Sequence, residues 1–536
     1  MGTGLSRREL LTLMLGAPVV ASLGCQTASL PAEGKLLAPD FARGHKLRDA
    51  SIAKQPPRTV MEVDVVIVGA GIAGLASAWR LRRAGVQNFV MLELEPHTGG
   101  TAHSGESEVS RYPWGAHYVP VPTLENPTLI TLFDEMGLLE SRDADGRPAV
   151  KEQFLCRDPQ ERVFHDGQWF EGLFPHTGAA EEEIAQYKAF YAEMHRLAGL
   201  RDSQGRRFFT IPIARCGIND DFAALDNISM ADWLERKGWT SPRLRWYVDY
   251  ACRDDYGLMA DQTSAWAGLF YFASRIEEPG QRAQPFVTWP EGNGRIVRYL
   301  TEVAGDCIRT GRLVTAINNT ADGVSVDALT VASHERYTAR RVVFAGPQFV
   351  APHVIRDLSK QQSWRARGFE YGSWMVANLH LSDRPAEKNG FPMSWDNVVF
   401  DSKSLGYIVA THQTGNDHGP TVLTYYYPYC DQDVAERRQL LLDMDWSEWA
   451  DVILTDLQQA HPDIRKLVTR VDIMRWGHAM IRPRPGFVFS PSRVNATQPF
   501  GRVHFANTDL SGVALMEEAW YHGLRAADEI VAAIRV

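Results

Sequence analysis

Cysteine and the familiar catalytic metal motifs are scarce in this chain. Six of its 536 residues are cysteine, and they are scattered, without a C-x-x-C pair. This spacing argues against a disulfide framework and against a cysteine-based metal site. Neither H-E-x-x-H nor G-x-S-x-G occurs in the sequence, so the usual signatures of zinc proteases and α/β-hydrolases are missing. We therefore expect chemistry that uses neither a metal ion nor a hydrolytic serine.

Long apolar runs and an excess of positive charge are also lacking. The formal net charge is −9, with 45% hydrophobic and 23% charged residues, which is typical of an ordinary globular protein. The negative balance argues against a nucleic-acid partner and against a polybasic membrane patch. The apolar run at residues 10–23 is too short to span a bilayer on its own. A chain of this length is expected to form two interwoven domains.

The N-terminus has the pattern of a twin-arginine export signal. Arg7 and Arg8 precede the apolar run, although a chance Arg-Arg pair remains the alternative. We predict that residues 1–25 are this signal and that the protein is periplasmic. Cys25 ends the run as in a lipoprotein cleavage box, but Ser22 stands where that box usually has Leu. A lipid on Cys25 would tether the protein to a membrane surface, and the sequence leaves this open.

A dinucleotide-binding segment follows at residues 63–93. The apolar run 63–68 predicts a buried parallel strand. Gly69, Gly71 and Gly74 then follow at G-x-G-x-x-G spacing. These glycines permit a tight turn, close approach of a pyrophosphate, and close packing of helix on strand, respectively. The helix that begins with Ile72 and Ala73 directs its free N–H groups at the phosphates.

The second strand of this unit ends at an acidic residue. Glu93 lies where a carboxylate accepts hydrogen bonds from both hydroxyls of an adenosine ribose. A carboxylate there disfavours a 2′-phosphate, so NADP is not expected. Because strand, glycines, helix and Glu93 all lie where the mechanism needs them, we predict a bound dinucleotide rather than a plain glycine-rich turn.

At Gly99-Gly100 the chain resembles the flavin-containing amine oxidoreductase superfamily, which includes monoamine and polyamine oxidases, protoporphyrinogen oxidase and phytoene desaturases. The resemblance implies FAD as the cofactor. Members usually carry G-G-R here as a second pyrophosphate contact, whereas this chain has Thr101 in the third position. The resemblance continues through most of the chain after residue 60 and is strongest at its two ends. Further FAD contacts that it implies are Gly115, Ala116, His117, Asp509 and Val513, and Val314 falls where the family contacts the adenine through its backbone.

The resemblance also implies the fold: a Rossmann-like FAD-binding domain interleaved with an α+β substrate domain of antiparallel sheet and helices. We expect the FAD-binding domain at 61–140, 288–350 and 476–536. The substrate domain takes 141–287, as its helical part, and 351–475. Residues 26–60 are rich in proline, alanine and charge, and are predicted to be a linker.

Members of the superfamily that oxidise amines usually have a Lys near flavin N5 and two aromatic residues that flank the amine. By the resemblance, the Lys position falls at Val376, with Asn378 as its polar neighbour. The two aromatic positions fall at Met480 and Leu515. The Lys and both aromatics are therefore missing, and we expect a more apolar pocket than is usual for an amine. A cysteinyl flavin is excluded, because its position holds Ala479.

Three other side chains are candidates for substrate contact. His478 is either a general base near the flavin or a structural histidine. Asp254 and Asp255 either bind a cationic substrate or belong to a solvated loop or helix cap.

The reaction implied is two-electron oxidation of a C–N bond in a small molecule. Flavin N5 accepts the hydride, and O₂ or a respiratory acceptor reoxidises the flavin. Two alternatives stay open: desaturation or isomerisation of an apolar substrate, and a flavin-binding protein without turnover.

Overall fold

The computed structural model describes residues 33–49, 57–277, 280, 285–365, 367–386, 390–430 and 433–535. The predicted signal segment and Cys25 lie outside these residues. Among the helices in the described ranges, none combines the length and the apolar character needed to cross a membrane.

Strands and helices alternate along the chain and then give way to a helical region and a second set of strands. The strands are β1 (Glu33–Leu37), β2 (Thr59–Val68), β3 (Phe89–Leu92), β4 (Ser104–Glu106), β5 (Arg111–Pro113), β6 (Tyr118–Pro120), β7 (Leu139–Arg142), β8 (Pro148–Val150), β9 (Glu161–His165), β10 (Gln168–Glu171), β11 (Phe286–Thr288), β12 (Ile308–Arg309), β13 (Leu313–Asn319), β14 (Val324–Leu329), β15 (His334–Phe344), β16 (Tyr371–Leu381), β17 (Asp396–Val399), β18 (Tyr407–Val409), β19 (Thr421–Pro428), β20 (Val468–Ile481) and β21 (Val503–Phe505). The helices are α1 (Phe41–Gly44), α2 (Ile72–Arg83), α3 (Pro127–Glu135), α4 (Glu181–Gly199), α5 (Asp220–Ala224), α6 (Met230–Arg236), α7 (Pro242–Tyr256), α8 (Ala265–Ala273), α9 (Gly294–Ala304), α10 (Ala351–Val354), α11 (Leu358–Gln361), α12 (Val434–Asp443), α13 (Trp446–Leu457), α14 (Ile464–Leu467), α15 (Pro491–Asn495) and α16 (Met516–Arg535).

The first large sheet is the Rossmann-like one. Its order is β12-β3-β2-β15-β14-β13, with β21 beside β15. Strands β2, β3, β12, β15 and β21 pair in parallel, and β13–β15 form an antiparallel meander. Helix α16 packs tightly on α2, because a Cβ at Gly523 would lie 2.3 Å from the carbonyl oxygen of Ala73. The C-terminal helix is thereby held against the glycine-rich turn.

The second sheet has eight strands in the order β1-β20-β16-β19-β18-β17-β9-β10. It is largely antiparallel, with parallel pairs at β1–β20 and β17–β9. Helices α4–α8 form their own core of buried aromatic and aliphatic side chains, which also includes Val513. The predicted α/β fold with an interleaved α+β domain is confirmed.

Two predicted boundaries differ from the observed elements. Residues 33–37, within the predicted linker 26–60, form β1, whose Glu33 to Leu37 pair in register with Arg470 to Met474 of β20. The proline- and charge-rich composition shows no strand pattern here. The strand forms by pairing with a partner more than 400 residues away, so local sequence could not predict it. Strand β20 also runs through the predicted boundary at 475/476, so the second sheet extends to Ile481.

Candidate functional site

The glycine-rich turn has the geometry of a phosphate cradle. Gly71 precedes helix α2, and a Cβ built at Gly71 meets nothing within 4 Å. Gly69 has φ +101°, a conformation that favours glycine. At Gly74 an added Cβ would lie 2.0 Å from the carbonyl oxygen of Gly69. Gly71 therefore faces open space, whereas packing requires a glycine at position 74. Ile72 and Ala73 begin the first turn of α2 between these two glycines.

Glu93 lies directly after β3 at the mouth of this turn. Its Oε2 accepts from the backbone N–H of Ala70 (2.6 Å), and its Oε1 accepts from the N–H of Glu95 (2.9 Å). Burial raises the pKa of Glu93, with these two hydrogen bonds opposing the rise. Each carboxylate oxygen keeps a further lone pair, so the group can still accept the ribose hydroxyls that the sequence predicted for it.

Three predicted cofactor segments meet around Gly71. The N–H of Gly99 donates to the carbonyl of Ala70 (2.8 Å). A Cβ at Gly100 would lie 3.5 Å from Cα of Gly71. The N–H of Ala116 donates to the carbonyl of Thr101 (3.1 Å), and Gly115 packs against the same carbonyl. The segment 99–101 thus joins the glycine-rich turn to the loop at Gly115, although that turn and that loop are more than 40 residues apart in sequence.

The remaining predicted contacts lie on the strands and the C-terminal turn beside this cradle. Val314 is buried at the start of β13. Asp509 is buried, and its Oδ2 accepts from the hydroxyl of Tyr371 (2.6 Å) and from the N–H of Gln348 (2.8 Å). Burial raises the pKa of Asp509 to about 6. Val513 is buried against the helical core.

An aromatic wall adjoins the predicted flavin loop. His117 has ring centroids of Tyr426, Tyr118 and Trp395 at 4.9, 5.1 and 5.4 Å. The hydroxyl of Tyr426 donates to the carbonyl of Gly115 (2.9 Å), which fixes the wall to the loop. Burial lowers the pKa of His117 to about 4, so its ring is neutral at physiological pH. Tyr118 lies on β6, Tyr426 on β19, Trp395 directly before β17, and His117 on the loop itself.

Three carboxylates lie beside this wall. Asp396 and Glu161 are register partners on the adjacent strands β17 and β9. Asp254 faces them from α7, and its charge acts on Asp396. Burial raises the pKa of Asp254 to about 7, with repulsion from Asp255 adding to the rise. Burial also raises the pKa of Asp396 well above its usual range.

Glu161 lies at the water-accessible edge of this acidic group. Surrounding protein nevertheless raises its pKa to about 7. We name the site formed by the three carboxylates and the aromatic wall the acidic recess. Among the described residues, no set of three His, Cys, Asp or Glu side chains is arranged to hold a metal ion.

The two aspartates of α7 have different roles. Asp255 is buried, and both of its carboxylate oxygens accept from Nη2 of Arg275, at 2.8 and 3.1 Å. Asp254 has no ion pair of this kind among the described residues, and the charge of Glu161 acts on it. Neither aspartate caps the helix, because Ser241 is its N-cap and Gly257 its C-cap. The loop or cap interpretation is therefore wrong, since both residues lie in the last turn of α7.

The predicted substrate-pocket residues separate into two groups. Val376 and Met480 pack in one cluster with the aromatic wall, together with Trp374 and Tyr426. Leu515 packs against the helical core instead. Asn378 is fully buried, and its amide is already bonded to the carbonyl of Pro113 (3.1 Å) and the hydroxyl of Thr424 (2.7 Å).

His478 lies on β20, and its ring centroid is 6.0 Å from that of Tyr371, whose hydroxyl donates to Asp509. Its ring stacks on Phe349 at 4.3 Å. Burial, followed by the charge of Arg438, lowers the pKa of His478 to about 4. A neutral imidazole at physiological pH is compatible with either of its two sequence interpretations.

The structure adds acidic and aromatic groups beside the apolar residues that the sequence placed in the pocket. Sequence reasoning missed Asp396, Glu161, Tyr250 and Trp395, which supply most of these groups. They lie on separate elements and share no spacing that could have indicated a common site. Asp254 gave a signal in the sequence, through the second aspartate that follows it.

Comparison with known proteins gives one family. The profile of the flavin containing amine oxidoreductase family matches residues 72–531. Flavin-containing amine oxidase B of Bos taurus is 23% identical over 496 residues, which cover 88% of this chain and 86% of that protein. Wild-type putrescine oxidase bound to putrescine shares 18% identity with a TM-score of 0.66, over 88% of this chain and all of that chain.

The fold is also shared with an enzyme of different chemistry. A CLA-producing fatty acid isomerase from P. acnes has a TM-score of 0.61 at 15% identity, over 87% of this chain and 98% of that one. These structural likenesses show the fold alone. The family match extends over most of the chain, and the glycine cradle with its facing carboxylate fits the cofactor of that family. The chain belongs to the flavin-containing amine oxidoreductase family and is an FAD-dependent oxidoreductase.

Proposed function

We propose that this oxidoreductase oxidises a C–N bond in a cationic amine. The observation that supports this most directly is the recess formed by Asp254, Asp396 and Glu161 beside the aromatic wall at His117. An ammonium group is attracted both by carboxylates and by the faces of aromatic rings. The relatives named as amine oxidases point to the same substrate class.

Each part of the recess has a distinct task in this proposal. FAD, when bound, accepts the hydride equivalent at N5. The carboxylates hold the substrate cation and compensate for the water that it loses. The aromatic wall excludes solvent and orients the alkyl chain. His117, being neutral, adds no positive charge that would repel the ammonium.

Desaturation or isomerisation of an apolar compound is less well supported. A fatty acid or polyene would place hydrocarbon, and in the first case a negative charge, against three carboxylates. Because the pKa values of these carboxyls are raised, they would take up protons against an apolar ligand, and only a cation uses their ionised form. A flavin-binding protein without turnover would have no use for an acidic recess beside the flavin loop.

Product analysis tests the reaction. With a primary amine and O₂, each turnover should give one aldehyde, one ammonium ion and one hydrogen peroxide, and it consumes one water. If a respiratory acceptor is used instead, an artificial dye should replace O₂ and the aldehyde should still form. Amine consumption without any carbonyl product would exclude C–N oxidation.

We also propose that the chain is exported by the twin-arginine route. The support is the Arg7-Arg8 pair before a short apolar run, which suits a protein that folds around FAD before export. Replacing both arginines by lysine should retain the protein in the cytoplasm. Cys25→Ser should move it from the membrane fraction to the soluble periplasm if Cys25 carries a lipid, and should change nothing if it does not.

A further inference from the structure

The N-terminal arm, defined as residues 33–48, joins the two large sheets. It lies outside the family match, which begins at residue 72. Its first part is β1, on the edge of the second sheet. There the N–H of Lys35 donates to Oδ1 of Asp472 (3.1 Å), and Gly34 lies under the ring of Trp446. The arm then leaves this sheet and crosses to the FAD-binding domain.

Its second part is anchored beside the ribose carboxylate. The N–H of Asp40 donates to Oε1 of Glu95 (2.8 Å), two residues after Glu93. Asp40 also caps α1 by accepting from the N–H of Arg43 (3.0 Å). A Cβ at Gly44 would lie 3.8 Å from Leu94. Helix α1 therefore lies against the segment that follows β3.

Arg43 ties the arm to the segment before β13. That segment is itself bonded to the segment after β3, because the N–H of Gly311 donates to the carbonyl of Glu95 (3.1 Å) and the N–H of Arg312 to that of Glu93 (2.7 Å). Nη2 of Arg43 donates to the carbonyl of Gly311 and to that of Leu329 (3.1 Å). Gly311 precedes Val314, the predicted adenine contact. Leu47 packs against the cluster of buried side chains that contains Val314. The arm thus contacts both segments between which the adenosine of FAD is expected.

The arm also extends toward the predicted flavin end. Arg475 of β20 donates through Nε to the carbonyl of Leu37 (3.4 Å). The charges of His45 and Arg48 act on His478, beside Ala479, and both lower its pKa. A single short segment therefore follows the cofactor site from the adenosine end toward the flavin end.

We propose that the N-terminal arm is part of the FAD site and acts as a strap that retains the cofactor. It contacts the segment that follows Glu93 and the segment that precedes Val314, and it adds to the hydrogen bonds that join these two segments directly, so opening this end of the site would also break the arm's contacts. This inference rests on the FAD assignment alone and does not depend on the substrate. Retention is accordingly expected to be tight without covalent attachment, since Ala479 stands at the cysteinyl position.

The rate of FAD release tests the strap. Holoenzyme is diluted into an excess of an FAD-scavenging apoprotein, and the loss of bound flavin is followed by fluorescence. Arg43→Ala removes two hydrogen bonds from a charged donor, so release should accelerate by about tenfold. Leu47→Ala provides a second variant that leaves the hydrogen bonds intact and should accelerate release to a smaller extent. Arg245→Ala, an exposed arginine paired with Glu235 in the helical region, is the matched control and should not change the rate.

A merely structural role predicts a different pattern. Urea unfolding is measured for each variant with FAD removed and with FAD bound. The strap predicts that Arg43→Ala lowers the stability of the holoenzyme more than that of the apoprotein. Equal loss in both forms, or unchanged FAD release in both Arg43→Ala and Leu47→Ala, would overturn the proposal. Failure of the amine assay would leave this result untouched, because flavin release needs no substrate.

Discussion

The hydroxyl of Tyr250 donates to Oδ2 of Asp396 at 3.0 Å and joins helix α7 to strand β17. Two further contacts hold this junction: Trp246 Nε1 donates to the carbonyl of Phe400 (2.7 Å), and Arg253 donates to that of Ser402 (3.1 Å). The helix that carries Asp254 is therefore fixed over the strand pair that carries Asp396 and Glu161. The acidic recess is a product of this docking.

Asp254→Asn should weaken substrate binding more than turnover. Within the described part of the chain, Asp254 forms no direct ion pair like that of Asp255 with Arg275, so its carboxylate can pair with a substrate cation. We expect KM for a cationic amine to rise by about 10- to 100-fold with a smaller change in kcat. Steady-state peroxide assays give both constants. Glu235→Gln, on an exposed face of the helical region, is the control. An unchanged KM would remove Asp254 from the substrate site.

Amine binding should strengthen as pH rises through neutrality. Burial raises the pKa of both Asp254 and Glu161 to about 7. A bound cation favours the ionised carboxylates and lowers those pKa values, so binding releases protons. Calorimetric titration in two buffers of different ionisation enthalpy measures this release at about pH 7. No proton release, or tighter binding at lower pH, would contradict the assignment.

Asp254→Asn should also stabilise the enzyme without substrate at neutral and higher pH. A carboxyl whose folded pKa is raised binds more protons in the folded state than in the unfolded state. Its contribution to stability is therefore absent at low pH and grows increasingly unfavourable from about pH 4 to about pH 7. The asparagine variant should gain thermal stability over the parent across that range, and the gain should then level off. Scanning calorimetry of the holoenzyme across this pH range measures the change in thermal stability. A gain in stability confined to acid pH would contradict the prediction.

Valine substitutions at Gly71 and Gly74 should separate cofactor binding from folding. A side chain at Gly71 meets no protein atom within 4 Å, and the backbone there has φ −71° and is extended, which valine accepts. Gly71→Val should fold and lose FAD. At Gly74 the added Cβ would clash with the carbonyl of Gly69 at 2.0 Å, so Gly74→Val should fail to fold stably. Flavin absorbance measures bound FAD and circular dichroism measures folding, so together they distinguish the two variants. A Gly71→Val variant that keeps its full FAD content would contradict the phosphate cradle.

The cofactor site could be predicted from local sequence, because its parts are short and lie close together in the chain. Gly69 to Gly74 and Glu93 occur within a single strand-helix-strand unit, and each has a stereochemical reason for its position. The acidic recess could not be predicted this way. Asp396 and Glu161 become neighbours only when β17 pairs with β9, more than 200 residues apart in sequence. Strand β1 could not be predicted for the same reason, because its partner β20 lies near the other end of the chain.

Anaerobic reduction of the bound flavin tests the central claim most directly. The holoenzyme is titrated without O₂ against linear diamines, monoamines, amino acids and apolar desaturase substrates, while flavin absorbance is recorded. The recess predicts bleaching by cationic amines, and in Asp254→Asn the same rate of bleaching should need an amine concentration about 10- to 100-fold higher. Bleaching by an apolar compound alone, with no response to any amine, would contradict C–N oxidation and favour the desaturase or isomerase alternative.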